Sequence, residues 1–189
     1  MERPKPQNLR ARLRTDTQSS HAALDALVSG FDLATSKGLA GFMAMQAGAL
    51  SKLAPLVEHA QCEALIRHLR DLVARDLVTL KTRAVRVEPK WASTPHQVAI
   101  DYVIIGSRLG TQVLQKRWAA STDAQAQAAD AYFSAPSFVE LWRQFCDRNT
   151  GLPAIGPYAD RIVSDANQVF DFYHACAVAA QHETGTVDA

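Results

Sequence analysis

The stretch Thr94-Pro-His-Gln-Val98-Ala-Ile-Asp-Tyr102-Val-Ile-Ile105-Gly106-Ser-Arg-Leu-Gly110-Thr-Gln-Val113-Leu114 decides the fold, because it admits two readings. Val98 to Ile105 is an apolar run rich in β-branched residues that by propensity alone suits a buried strand ended by a glycine turn. Against that, Thr94-Pro95 predicts an N-cap followed by a proline at the first helical position, opening a long helix from His96 to about Trp118. The apolar pattern also continues beyond the glycines through Leu109, Val113 and Leu114. Nothing else in the chain supplies partner strands, and a strand needs partners to be stable. The stretch therefore reads as helix.

Working outward, the rest of the chain agrees with that choice. A helix from about Asn8 to Ser29 places Leu9, Leu13, Thr17, His21, Leu24 and Val28 on one stripe and is stopped by Gly30. Ser36 offers an N-cap for a second helix to about Leu53, where Pro55 forces a boundary. A third, Glu63 to Arg83, buries Leu65, Leu69, Leu72, Leu77 and Leu80 and ends in an extended connection at Val85, Val87 and Glu88-Pro89. Helices over Asp123 to Phe133, Ser137 to Arg148 and Tyr158 to Gln181 complete a set of seven or eight, with Asn149 to Pro153 as the sharpest loop. The expectation is an all-α, single-domain bundle over 8–181, with a flexible lead-in at 1–7 and a flexible polar tail from His182 to Ala189.

Composition points the same way. The 189 residues include 32 Ala and 18 Leu against 14 Val and 6 Ile, so strong helix formers dominate the apolar fraction. A net charge of +1 supplies no global field for nucleic acid or an anionic membrane surface, so any basic function must be local. Cys62, Cys146 and Cys176 show no metal-ligand spacing and read as reduced thiols. With neither a long apolar run nor a signal-peptide pattern, the expectation is a cytoplasmic protein with no membrane partner.

Three features carry possible chemistry. His21 has Asp25 one turn on, where a carboxylate can hold one ring nitrogen and leave the other free for a metal. Alone, a histidine on such a stripe is more often a core residue. Gly106 and Gly110 lie four apart within an apolar helix, each costing about 1 kcal/mol relative to Ala. Either close helix packing or the approach of a flat ligand to bare backbone would offset that. Ser107 and Thr111 stand beside them with hydroxyls. Arg14, two turns before His21, could pair with a ligand carboxylate or simply be solvated.

Leu13-Arg-x-x-Thr17-x-x-x-His21-x-x-Leu-Asp25 resembles the proximal helix of the heme oxygenases, especially the bacterial branch associated with phytochromes. Tyr102-Val-x-x-Gly106-Ser-Arg-Leu-Gly110-x-x-Val-Leu114 is similar to their distal helix, and Arg75-Asp76-Leu77 and Ser137-Phe-x-x-Leu-Trp-Arg143 are further echoes in the same order. The resemblance implies a heme-oxygenase-like bundle with heme b held between the two helices. It implies His21 as the iron ligand and Asp25 as that histidine's partner, with heme contacts from Arg14, Thr17, Gly106, Gly110, Thr111 and Arg143. Gly106, Ser107, Arg108 and Gly110 would be the catalytic positions. The implied reaction is oxidative cleavage of heme to biliverdin, carbon monoxide and ferrous iron, using O2 and electrons from a ferredoxin or reductase. A bacteriophytochrome would be a possible recipient of the biliverdin. The chain departs from the bacterial pattern at Ile105, where an acid is usual, and at Thr111, where a smaller residue is usual.

Those departures motivate a second reading, a heme- or tetrapyrrole-binding protein with weak or no turnover. A third, a helical oxidase with two non-heme irons, has candidates in His59 with Glu63 and Asp171 with His174 but lacks the Glu-x-x-His pairs such sites favour. The remaining histidines, His68, His96 and His182, read as non-catalytic, and Trp91, Trp118 and Trp142 as core or helix-end anchors.

Overall fold

A computed structural model describes residues 8–185. Among them are eight α-helices and no strand, so the ambiguous stretch is helical and the fold is all-α. Residues 1–7 and 186–189, most of the expected lead-in and tail, lie outside the described residues.

Helix α1 (Leu9–Asp16) starts at Asn8, whose side chain accepts from the Ala11 N–H at 2.9 Å, and it buries Leu9 and Leu13. The single helix expected over 8–29 is in fact two. It breaks at buried Thr17, whose hydroxyl donates to the Leu13 carbonyl at 2.8 Å, and α2 (Gln18–Ser29) follows, closing on Gly30. Back-bonding of this kind bends helices without any proline or glycine to announce it.

Helix α3 (Ser36–Leu53) has the expected span, but its cap is Thr35, which accepts from the Gly38 N–H; Ser36 is the first helical residue and donates its N–H to Asp123. Pro55 sits in a short 3-10 turn, Ala54–Leu56. Helix α4 (Glu63–Thr79) stops short of Arg83. An extended strap then runs to residue 96. At Val85 its N–H donates to the Ala44 carbonyl of α3 at 3.2 Å, and at Trp91 it packs on Phe172, with ring centroids 5.0 Å apart. Gly48 is what lets the strap sit so low: a Cβ there would stand 2.6 Å from Val85 Cγ2 and 2.8 Å from the Val85 carbonyl oxygen.

Helix α5 (Gln97–Ala119) is capped by His96 rather than Thr94. The His96 Nδ1 accepts from the Val98 N–H at 3.1 Å, and buried Pro95 precedes the helix instead of starting it. Helix α6 is only Ala124–Ala128, far shorter than the expected 123–133. Helix α7 (Val139–Asn149) follows Phe138, which is left-handed at φ 55°. Helix α8 (Pro157–Gly185) continues through His182 into the stretch read as a tail. It forms the axis of the bundle, with α1, α2, α3 and α5 packed on it, α4 against α3, and α7 against α5. No described helix is long and apolar enough to cross a membrane. All three cysteines are buried and free, and burial pushes the Cys62 and Cys176 thiols up, which makes them inert.

Candidate functional site

A cleft of about 440 Å³ opens between the α1–α2 corner and α5, lined by Arg14, Thr15, Thr17, Gln18, His21 and Tyr102. Its volume falls in the ordinary range of small-molecule and cofactor sites. The bend at Thr17 shapes it, because the same residue that breaks the helix forms part of the lining.

His21 is the most reactive group in the lining. Its Nδ1 lies 2.9 Å from Asp25 Oδ2, and its ring meets Phe170 of α8 edge-on at 5.4 Å. The side chain is 55% exposed, with Asp25 standing at Nδ1. A carboxylate on one nitrogen sets the tautomer and makes the other a better metal ligand. Across the cleft stands Tyr102, from α5. Burial pushes its phenol above the ordinary value, while the adjacent Thr17 hydroxyl and the charges of Arg14 and Arg10 pull the other way. Arg12, between those two arginines in sequence, is tied to Asp16 at 3.0 Å and Asp160 at 2.7 Å. Arg10 and Arg14 are exposed and form no ion pair among the described residues, which leaves two cations at the cleft for an anionic ligand.

Of the residues singled out by sequence, Arg14, Thr17 and His21 come together in this cleft, with Asp25 behind His21. The distal-helix set does not line it; of α5 only Tyr102 does. Gly106 faces the indole of Trp142, whose Cζ3 would lie 3.3 Å from an added Cβ, so here close packing of α7 on α5 accounts for the glycine. Gly110 has nothing within 4 Å of such a Cβ. It lies near the stripe Tyr102, Gly106, Leu109, Val113, the last two of which are exposed at 40% and 64%. The face that begins at the cleft thus continues outward as an uncovered apolar surface.

Ser107 donates its hydroxyl proton to the Ile104 carbonyl at 2.8 Å, and Thr111, buried, donates to the Ser107 carbonyl at 3.2 Å. Ile105, at the position of the usual acid, is fully buried. Arg108 points inward between aromatic rings. Arg143 is exposed on α7 and held by both oxygens of Glu140 at 2.9 and 2.8 Å, away from the cleft. Sequence reasoning passed over Arg10, Thr15, Gln18 and Tyr102. The signal for Tyr102 was its place one turn before Gly106, and for Arg10 its place one turn before Arg14.

Among the described residues no group of three or more His, Cys, Asp or Glu side chains could hold a metal ion, so neither His59 with Glu63 nor Asp171 with His174 belongs to a carboxylate di-iron ligand set. The chain matches no family model and no curated protein sequence.

Proposed function

We propose that the protein binds heme through His21 and degrades it oxidatively, as the heme oxygenases do. The observation that carries the proposal is the His21–Asp25 pair at 2.9 Å, opening on a cleft lined by Arg14, with Arg10 acting on its Tyr102 wall and neither arginine ion-paired among the described residues. Heme offers an iron that a histidine can hold and two carboxylates that cations can face, and the donor set fits both. His21 would hold the iron, and Arg14, with Arg10 nearby, would face the carboxylates. The apolar macrocycle fits the uncovered face continued by Leu109 and Val113.

When bound, heme supplies the redox centre at which O2 and electrons from an external donor of the ferredoxin or reductase class are used. The chain's own tasks are simpler. Asp25, 2.9 Å from Nδ1 of His21, favours one orientation of that ring. Tyr102, protonated, presents a hydroxyl beside Thr17. Gly110 leaves the outer backbone of α5 open to close approach.

Binding without turnover is a second reading, favoured by one observation. The two hydroxyls nearest the glycines, Ser107 and Thr111, both donate to backbone carbonyls of their own helix. One experiment separates the readings. Hemin is added to the purified protein, then ascorbate or a ferredoxin system, and the Soret band is followed. Loss of the band with growth of biliverdin absorbance is expected; a stable band shifts the assignment to a carrier. A spectrum unchanged by His21→Ala would remove His21 from the iron.

A further inference from the structure

Arg108 is the most anomalous side chain in the molecule. It is the largest of the fully buried residues, at 1% exposure, and both Nε and Nη1 lack a hydrogen-bond partner. Its guanidinium carbon lies 4.8 Å from the centroid of the Tyr132 ring and 5.9 Å from that of Phe138. Its charge is also felt at the buried Tyr173 hydroxyl, which Tyr132 neighbours in turn. Among the described residues no carboxylate pairs with it: buried Asp76 is committed to the Ala131 and Tyr132 N–H groups at 3.0 and 2.8 Å, and Asp101 to those of Gln61 and Cys62.

Such an arrangement is not in electrostatic balance. Taking one guanidinium out of water carries a desolvation penalty that cation–π contacts offset only in part. A guanidinium does not shed its proton in proteins, so the charge cannot be removed by titration. What is missing is a negative charge against Nε and Nη1. The surroundings limit its size and kind. Two walls are aromatic rings, and Phe138, one of them, is held left-handed at φ 55° between Arg108 and His68, whose ring centroid is 6.2 Å away.

We propose that Arg108 is an internal anion site: a small monovalent anion, of halide or formate size, sits against its Nε and Nη1 within the Arg108–Tyr132–Phe138–Tyr173 cluster and balances the charge. The site is separate from the His21 cleft, which Arg108 does not line, and it does not depend on heme. An anion bound only by the folded state stabilises that state by mass action.

The test uses the full chain in gluconate buffer at constant ionic strength, with chloride or formate replacing gluconate stepwise. Gluconate serves as the bulky reference anion. Thermal melting is followed together with the 35Cl NMR linewidth. Wild type should show a saturable rise in Tm, about 5–10 °C at a hundred times Kd, and excess 35Cl broadening. A small inorganic ligand gives a response to chloride alone; a small carboxylate gives a stronger response to formate, which also removes the chloride broadening. Arg108→Met, near in length and uncharged, should lose both responses and melt no lower than wild type in gluconate. Where Arg108→Met does not fold, Arg108→Gln takes its place. A wild-type Tm indifferent to both anions, or the same anion response in the variants, overturns the proposal.

Discussion

Replacing Asp25 by alanine separates a ligand-positioning role from a merely structural one, because the two predict different numbers. The His21–Asp25 pair is 2.9 Å long, but its side chains are 55% and 62% exposed. Exposed pairs of this kind contribute about 0–1 kcal/mol to stability, and alanine recovers a comparable amount through its better helix propensity. The Tm of Asp25→Ala should therefore stay within about 2 °C of wild type. Loss of the carboxylate that orients a metal-ligating histidine costs roughly 10- to 100-fold in affinity, or about 1.4–2.7 kcal/mol. Solvent access at this pair favours the lower end. Hemin titration followed at the Soret band reads the affinity, and a melt on the same samples reads the fold. Asp25→Asn keeps an acceptor for Nδ1 and should fall between wild type and Asp25→Ala. If Asp25→Ala binds hemin as wild type does while His21→Ala does not, Asp25 is a surface partner and the argument for a tuned ligand fails.

Three other outcomes follow from the geometry. Gly48→Ala would push a methyl into the Val85 carbonyl, so about 1–3 kcal/mol of overpacking outweighs about 1 kcal/mol of helix propensity and Tm falls by about 2–4 °C; an unchanged melt would mean the strap shifts freely. Gly110→Ala meets nothing within 4 Å and should raise Tm by about 2–4 °C, while the added methyl weakens hemin binding if the macrocycle lies on this face. His96 caps α5 as a neutral acceptor, and burial, then the charge of Arg161, holds its pKa below 6.5 against the opposite pull of Asp165 and Asp101, with the Tyr158 ring packed on it. Below 6.5 the unfolded chain therefore binds the extra proton and the folded one resists it, so this contribution is complete above 6.5 and is lost as pH falls through it. Losing a cap worth about 1 kcal/mol lowers Tm by about 2–4 °C between pH 7.5 and 5.5. His96→Asn, a cap that does not titrate, should remove that increment; an identical acid-side loss in the variant would show that His96 is not its source.

The parts of the fold legible in the sequence are those decided within a few residues. The α3 span follows from a capping residue before an apolar run and a proline after it. The helical reading of α5 follows from periodicity that persists beyond Gly110. The His21–Asp25 pair is a spacing of four, which any helix brings together. What was not legible depends on partners far along the chain. Gly106 and Gly110 look alike in sequence, yet one lies under Trp142, some thirty-six residues later, and the other lies open. Arg143 sits in a motif that suggests a ligand contact, but Glu140, one turn away, already holds it. Tyr102 reads in sequence only as part of the distal-helix motif, not as a cleft residue, because nothing local shows that α5 faces the α1–α2 corner.

Three buried aspartates fix element boundaries through long-range hydrogen bonds, and they do so in one way. Asp76 of α4 takes the N–H groups of Ala131 and Tyr132, which a helix over 123–133 would need for its own ladder, so α6 ends at Ala128. Asp165 of α8 takes the His96 N–H at 2.9 Å, which fixes the entry to α5 one residue past Pro95. Asp101 of α5 takes the Cys62 N–H at 2.8 Å and that of Gln61 at 3.3 Å, serving the start of α4, which Cys62 does not cap with its side chain. Burial pushes the Asp76 and Asp101 carboxyls up, against the pull of those same N–H donors. Each is therefore a net electrostatic cost at neutral pH, kept where it is because removing it would orphan two buried backbone donors at about 1–3 kcal/mol each. Two of the three act on α5: Asp165 holds its entry, and Asp101, beside Tyr102, ties its first turns to α4. The wall of the cleft opposite His21 is thus set by long-range hydrogen bonds rather than by helix propensity. For that reason the cleft can be described only once the whole bundle is assembled.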